Sequence, residues 1–261
     1  MQTGLCSITF RKLSPKELAA LAKKAELDVI EWGSDVHCPA GNLDVAKEVA
    51  AITAEAGLAT SSYGSYYWIG TFENFEDYAK SAEVLGAKTI RVWAYEQLSS
   101  MATAEDWQKA IEDSRRIADI AAAKGLSISY EYHGGTLTDT IDATVRLLTE
   151  TDRDNIFTYW QPPVGSCPDQ NLCDIDVLLK MKKLSNLHLF SWIPAEGGGI
   201  EKLPLEGLGE DWKRYIKAAV PADPTLLLEH TTEPPSLLLE FTKGDCTQQF
   251  LEDAKFLKNL L

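Results

Sequence analysis

Long apolar runs are absent from this chain of 261 residues, and no basic, apolar leader segment precedes its first predicted strand. No stretch approaches the roughly 20 apolar residues that a membrane-spanning helix needs, so we expect a cytoplasmic protein with no membrane partner. Cysteine is scarce, because the five residues make an odd number and include no CxxC pair. Free thiols in a reducing compartment are therefore expected rather than a disulfide framework.

Basic residues are also few, since 25 Lys and Arg stand against 39 Asp and Glu and leave a formal net charge of −14. No Lys/Arg cluster with interleaved aromatic residues offsets this charge, so nucleic acid is not an expected partner. The same charge favours a neutral substrate over a polyphosphorylated one. The phosphate-binding motifs GxGxxG and GxxxxGK[ST] are missing, and the glycines at 197–199 open no helix in that register.

Short apolar runs alternate with longer amphipathic stretches along the whole chain, which is typical of βα units around a parallel sheet. The predicted strands are residues 5–10, 29–32, 59–63, 89–93, 126–131, 156–160, 187–190 and 225–228. Helix starts are predicted at Ser14-Pro-Lys-Glu17, Thr103-Ala-Glu-Asp106 and Asp211, and helix ends at Gly57, Gly86 and Gly125. Eight strands in alternation with helices predict one α/β domain over residues 1–261, a single (β/α)8 TIM barrel.

All four histidines lie within a few residues of the end of a predicted strand, and that end of a closed parallel barrel carries the chemistry. Alternate strand residues share a face, so four neighbouring strands direct polar side chains inward: Glu131, Gln161, His188 and Glu229. Two carboxylates, an imidazole and an amide oxygen suit a divalent cation such as Mn²⁺, Co²⁺ or Zn²⁺. The residues alone leave a second interpretation open, in which these side chains bind one another or a substrate without a metal.

Several segments together resemble a known family. They are Thr9-Phe-Arg11, Ile30-Glu-Trp-Gly33, Asp35-Val-His37, Ser62-Tyr-Gly-Ser65, Ile90-Arg-Val-Trp93, Leu228-Glu229 and, most specific, Tyr130-Glu-Tyr-His-Gly-Gly-Thr-Leu-Thr-Asp139. The resemblance is to the sugar phosphate isomerase/epimerase-like branch of the xylose isomerase-like TIM barrels. It implies a barrel that binds a divalent metal ion, with Mn²⁺ our first expectation and Zn²⁺, Co²⁺ or Mg²⁺ as alternatives.

The implied metal ligands are Glu131, an acidic residue on strand six, His188 and Glu229. Strand six departs from this pattern, because Gln161 stands where ketose epimerases of the superfamily carry aspartate. An amide oxygen can still ligate a metal ion, but it removes one negative charge from the site. We therefore expect a lower metal affinity than in those relatives.

The resemblance implies a metal-dependent sugar isomerase or epimerase that transfers a proton beside a carbonyl through an enediolate. Glu131 and Glu229 are the predicted catalytic residues, acting on opposite faces of the substrate in an epimerase, whereas one glutamate suffices for aldose–ketose isomerisation. Two alternatives stay open: a keto-polyol (inosose-type) dehydratase with the same metal site, and a non-catalytic sugar-binding barrel. A zinc-dependent abasic-site endonuclease is disfavoured by the four histidines and the acidic charge.

Further residues are predicted to contact a carbohydrate or polyol substrate: His133, Arg91, Arg11, His37, Tyr66 and Trp68. Tyr66 and Trp68 follow strand three, where an aromatic wall would suit the apolar faces of a sugar ring. For Arg91 an ion pair with Glu31 is the alternative role. The long connection over 192–210 is predicted to be a lid on the barrel. The substrate and the oligomeric state, including a homo-oligomer, are left open.

Overall fold

The computed structural model describes residues 1–220, 234–241 and 246–261. Within these ranges, eight strands pair in parallel around a closed ring. They are β1 (Thr3–Cys6), β2 (Val29–Gly33), β3 (Ala59–Trp68), β4 (Thr89–Trp93), β5 (Ser127–Tyr130), β6 (Ile156–Trp160), β7 (Leu184–Leu189) and β10 (Ser236–Leu239). The ring closes where β10 pairs with both β7 and β1. The predicted (β/α)8 barrel is confirmed.

Helices cover the outside of this ring. The described ones are α1 (Pro15–Lys24), α2 (Leu43–Glu55), α3 (Glu76–Leu85), α4 (Ala104–Ala122), α5 (Ile141–Thr151), α6 (Pro168–Lys180), α7 (Gly209–Ala219) and α8 (Thr247–Leu260). Both predicted capping boxes form, with Ser14 and Thr103 as the capping residues. Asp211 was expected to open a helix, but α7 already begins at Gly209, so Asp211 lies in its first turn. None of the helices in the described ranges combines the length and apolar character needed to cross a membrane.

The eighth strand is the main correction to the sequence prediction. The barrel closes through Ser236–Leu239, whereas the predicted strand at 225–228 lies outside the described residues. The tetrapeptide Leu-Leu-Leu-Glu occurs twice, ending at Glu229 and again at Glu240, so side-chain pattern alone does not distinguish the copies. Strand pairing does distinguish them, because the leucines of the second copy, Leu237–Leu239, align with Leu187–Leu189 on β7. The first strand is also shorter than predicted, since Ser7–Phe10 is a 3₁₀ helix.

The predicted lid is an antiparallel hairpin at its start and not an irregular loop. Strand β8 (Ser191–Pro194) pairs with β9 (Ile200–Leu203), and a 3₁₀ helix, Leu205–Leu208, then leads into α7. The turn between the strands holds three consecutive glycines with φ values of 88°, 100° and 90°. Residues with a side chain rarely adopt positive φ values of this kind, so glycine is the residue that allows this turn.

The barrel interior changes from apolar to polar along the strands. Val29, Tyr159 and Leu238 form a buried cluster separate from the large core between strands and helices. Two residues further along each strand, on the same face, the chain places Glu31, Gln161 and Glu240. The apolar cluster is therefore the floor of a polar site at the carboxyl ends of the strands, which we call the barrel mouth.

Candidate active site

The imidazole of His188 is the centre of the polar residues at the barrel mouth, and it is fully buried. Its Nδ1 atom lies 3.1 Å from Oε2 of Glu240, 3.2 Å from Oε1 of Gln161 and 3.9 Å from Oε1 of Glu131. The structure thus brings together Glu131, Gln161 and His188, and Glu240 stands where the sequence predicted Glu229. Glu229 itself lies outside the described residues.

The chemistry of these donors fits a divalent cation. Ligand atoms of Glu131, His188 and Glu240 all lie within 4.8 Å of one another, and the three residues are buried. Carboxylates this close repel one another unless a positive charge lies between or beside them. Carboxylate and amide oxygens suit Mn²⁺ and Mg²⁺, and carboxylate together with imidazole suits Zn²⁺. The Nδ1 side of His188 is therefore the candidate metal site.

A second group with metal-ligand spacing consists of Cys6, Glu31 and His188. Burial, together with the charge of Glu31, raises the pKa of the Cys6 thiol well above its usual value. A thiol ligates metals as the thiolate, which this environment disfavours. The Nε2 side of His188 is therefore the poorer metal site.

Glu31 lies on the Nε2 side of His188 and is fully buried. Its Oε1 atom is 3.5 Å from Nε2 of His188 and 3.3 Å from Nε of Arg91. Its Oε2 atom accepts hydrogen bonds from the Ser62 hydroxyl at 2.8 Å and the Tyr159 hydroxyl at 2.7 Å. Burial alone would raise the pKa of Glu31, but Arg91 and these contacts hold it well below its usual range. The carboxylate is therefore ionised.

Opposing effects also set the charge of His188 in the metal-free protein. Burial would lower the pKa of its imidazole, but the carboxylates of Glu240 and Glu31 raise that pKa to about 9. A metal ion on Nδ1 requires the neutral ring, so metal binding and proton loss are coupled at this residue.

Arg91 is the positive charge among these carboxylates, and it is only 1% exposed. It forms ion pairs with Glu31 and with Glu131, so the alternative role predicted for it is observed. Its Nη2 atom has no hydrogen-bond partner among the described residues. The guanidinium carbon lies 5.6 Å from the Trp93 ring centroid and 5.9 Å from that of Tyr66, within cation–π range. Arg91 thus joins the carboxylates to an aromatic surface.

That aromatic surface is centred on Trp93, at the end of β4. Trp68 stacks on Trp93 with ring centroids 5.0 Å apart, and Tyr66 lies 6.5 Å from it. His133, exposed in the loop after β5, packs edge-on against the same ring at 4.8 Å. The predicted substrate residues Tyr66, Trp68 and His133 therefore meet as one wall beside Arg91.

Arg11 and His37 are engaged in contacts within the protein. Arg11 pairs with Asp35 and donates a hydrogen bond to the Tyr66 hydroxyl at 2.6 Å, at the exposed edge of the wall. His37 is buried, with Nδ1 3.1 Å from the Ser7 hydroxyl and Nε2 3.1 Å from the Leu13 carbonyl. Both ring nitrogens of His37 are therefore occupied, and no ring nitrogen is left for a substrate.

A second aromatic group connects the hairpin to the end of β10. The ring centroid of Trp192 lies 4.4 Å from that of Phe190 and 5.6 Å from that of Phe241. The indole nitrogen of Trp192 donates a hydrogen bond to the Phe241 carbonyl at 3.4 Å. Lys202 on β9 lies 4.7 Å from the Trp192 ring centroid and 4.8 Å from that of Phe241. The hairpin base is thus packed against the residue that directly follows Glu240.

Sequence reasoning did not include three residues among the predicted catalytic, metal-binding or substrate-binding residues: Glu31, Glu240 and Trp93. The inward orientation of Glu31 could have been predicted from strand alternation, because Glu31 shares the inward face of β2 with Val29. Glu240 was detectable as the second Leu-Leu-Leu-Glu copy, directly after Pro234-Pro235 and Ser236. Trp93 was part of a recognised segment, but its two-sided contact with Trp68 and His133 depends on loops whose course sequence does not predict.

A closed parallel barrel with buried carboxylates and a histidine at its mouth defines the class of α/β barrels whose sites lie at the carboxyl ends of the strands. The family model described as "Xylose isomerase-like TIM barrel" matches residues 19–259. The chain therefore belongs to the xylose isomerase-like TIM barrel family.

Relatives carry several activities. One segment of 50 residues is 42% identical to the inosose dehydratase of Geobacillus thermodenitrificans (strain NG80-2), and this match covers 19% of the chain and 17% of that protein. The probable 3-DHS dehydratase AsbF from Bacillus anthracis superposes with a TM-score of 0.73 at 18% identity, over 99% of both chains. D-allulose 3-epimerase from Methylomonas sp. gives 0.68 at 14% identity, over 100% of this chain and 98% of that one. At such identities the structural likeness shows the shared fold.

Proposed function

We propose that the protein is a metal-dependent carbohydrate isomerase or epimerase that moves a proton on a carbon atom beside a carbonyl group. The observation that carries this proposal is the convergence of Glu131 and Glu240 on one buried imidazole. Membership of a family of sugar-modifying enzymes supports it. A sugar-binding protein needs the aromatic wall but has no use for two buried carboxylates that cost energy to desolvate.

Glu131, Gln161, His188 and Glu240 would hold the metal ion, for which Mn²⁺ is our first choice. Mg²⁺ has separate support, because a xylose isomerase-like TIM barrel protein from Mycobacterium smegmatis, with a TM-score of 0.63 at 14% identity, is described in complex with magnesium. The bound ion would supply Lewis acidity toward the carbonyl oxygen as negative charge builds up on the substrate.

Proton transfer is the task assigned to the two glutamates. Glu131 follows β5 and Glu240 follows β10, and β6 and β7 lie between these strands in the ring. In an epimerase the two carboxylates would act on opposite faces of the substrate, because one group removes a proton and the other delivers one. Glu240 replaces Glu229 in this role. The wall of Tyr66, Trp68 and Trp93 would cover the apolar face of the sugar and exclude water.

A keto-polyol dehydratase is the second candidate, because the local identity to inosose dehydratase favours it. The first step, removal of a proton beside a carbonyl, is the same in both reactions. In the dehydratase a neighbouring carbon–oxygen bond then breaks and hydroxide leaves with a proton as water. The same side chains serve either outcome, so the reaction product distinguishes them.

The test is a screen of ketoses, keto-inositols and hydroxy-keto acids with Mn²⁺-loaded protein in deuterated water. Deuterium beside the carbonyl with all hydroxyls retained supports the isomerase or epimerase, and loss of water supports the dehydratase. In E131Q and E240Q we expect turnover to fall by about 10²–10⁴-fold, the usual contribution of a positioned base. E48Q, at an exposed glutamate on α2, is the matched control and should keep wild-type turnover. Full activity of metal-loaded E131Q and E240Q would contradict the assignment.

A further inference from the structure

The two ring nitrogens of His188 face different carboxylates. Nδ1 faces the candidate metal ligands. Nε2 is buried and has no hydrogen-bond partner among the described residues, and its ion-pair contact is with Oε1 of Glu31 at 3.5 Å. A neutral imidazole carries one proton. If that proton is on Nε2, the lone pair of Nδ1 is available to a metal ion.

We infer that Glu31 is a positioning residue for the metal site: its carboxylate accepts the Nε2 proton of His188 and so directs Nδ1 at the metal ion. The inference rests on the proposed function, because it assumes a metal on the Nδ1 side. A carboxylate behind a ligating histidine fixes the tautomer and the ring orientation and raises the basicity of the ligating nitrogen.

The surroundings of Glu31 are built to hold this carboxylate in place. Tyr159 donates to Oε2 and also packs edge-on against the His188 ring, with centroids 4.9 Å apart. A Cβ atom at Gly64 would lie 3.0 Å from Oε1 of Glu31 and 3.1 Å from Nη2 of Arg91. Glycine on β3 therefore leaves the space that the ion pair of Glu31 and Arg91 fills. Every polar contact on the carboxylate limits its rotation.

The first test is E31Q, which keeps the size of the side chain but removes its charge. Mn²⁺ titrated into metal-free protein in a calorimeter should show a dissociation constant raised by about 10- to 100-fold, the usual effect of losing such a partner. D113N is the matched control, because Asp113 is a fully buried carboxylate on α4 that pairs with Tyr67 and Arg116. It should bind Mn²⁺ as the wild type does.

Two readouts separate positioning from a purely structural role. In an H188N background, E31Q should weaken Mn²⁺ binding by no more than about twofold, because the route through the imidazole is already lost. In Zn²⁺-loaded protein, ¹⁵N NMR should show a slowly exchanging Nε2 proton on His188 that E31Q makes fast. If Glu31 served only to pair with Arg91, the effects of E31Q and H188N on Mn²⁺ affinity would be additive. The exchange rate of the Nε2 proton would then be the same in E31Q and in the wild type.

Y159F is a second variant, for use if E31Q is too unstable to measure. It keeps the charge of Glu31 and removes one hydrogen bond to Oε2, so Mn²⁺ binding should weaken by about 2- to 12-fold. Wild-type affinity in E31Q, or in Y159F where it replaces E31Q, overturns the inference while the metal site stands. A wild-type protein that binds no Mn²⁺ overturns the metal site itself, and the inference with it.

Discussion

Gln161 is the residue at which the charge of the metal site is most easily changed. In the metal-loaded site, the negative charges are those of Glu31, Glu131 and Glu240, and the positive charges are those of Arg91 and the divalent ion. With His188 neutral, these charges balance. Gln161→Asp adds one negative charge beside Nδ1 of His188, where the amide oxygen of Gln161 now lies at 3.2 Å.

Two opposite effects are expected from Gln161→Asp. A charged acceptor contributes roughly 1 to 1.5 kcal/mol more than a neutral one, so Mn²⁺ should bind about tenfold more tightly. The metal-free protein should be less stable than the wild type, because another carboxylate enters a buried cluster whose charges are not balanced. Tighter binding and a lower metal-free melting temperature should therefore appear in the same variant.

Calorimetric titration with Mn²⁺ and thermal unfolding in a chelator measure the two effects separately. Gln2→Glu, which adds the same charge at an exposed residue, controls for the change in net charge. If Gln161→Asp binds Mn²⁺ no more tightly than Gln2→Glu, Gln161 is not a ligand. Tighter binding without loss of metal-free stability would show that the buried cluster accommodates a further carboxylate without a net repulsive cost.

Two further predictions concern the mouth and its supports. The hairpin of β8 and β9 is anchored at Trp192 and ends in an exposed glycine turn, and we expect it to order over bound substrate. Its amide hydrogen exchange should therefore slow when substrate is added. Equal exchange rates with and without substrate would indicate a fixed surface element. Burial lowers the pKa of His37 in the folded protein, so its contribution to stability is present above the unfolded pKa of about 6.5 and is lost as pH falls. The free energy of unfolding, measured by urea titration, should therefore fall less between pH 7 and pH 5 in H37N than in the wild type. An equal fall in both proteins would contradict a lowered pKa for His37.

Periodicity was sufficient to predict the barrel and the inward side chains, because strand parity depends only on local geometry. Glu131, Gln161 and His188 were found in this way. The eighth strand was misplaced because Leu-Leu-Leu-Glu occurs twice, and only pairing with Asn186–Leu189 identifies the copy that closes the ring. His37 was assigned to substrate because its hydrogen bonds to Ser7 and Leu13 depend on a 3₁₀ turn that strand patterns do not reveal.

The buried ion pairs of Arg91 have a consequence for the order in which the protein is assembled. Many small metal-dependent domains fold only when the ion binds, because the free energy of metal binding supplies much of their folding free energy. Here the guanidinium already binds Glu31 and Glu131, and the protonated His188 adds a second positive charge. The polypeptide thus carries its own counter-ions, so the barrel can close first, and the ion can then enter a finished protein in exchange for a proton.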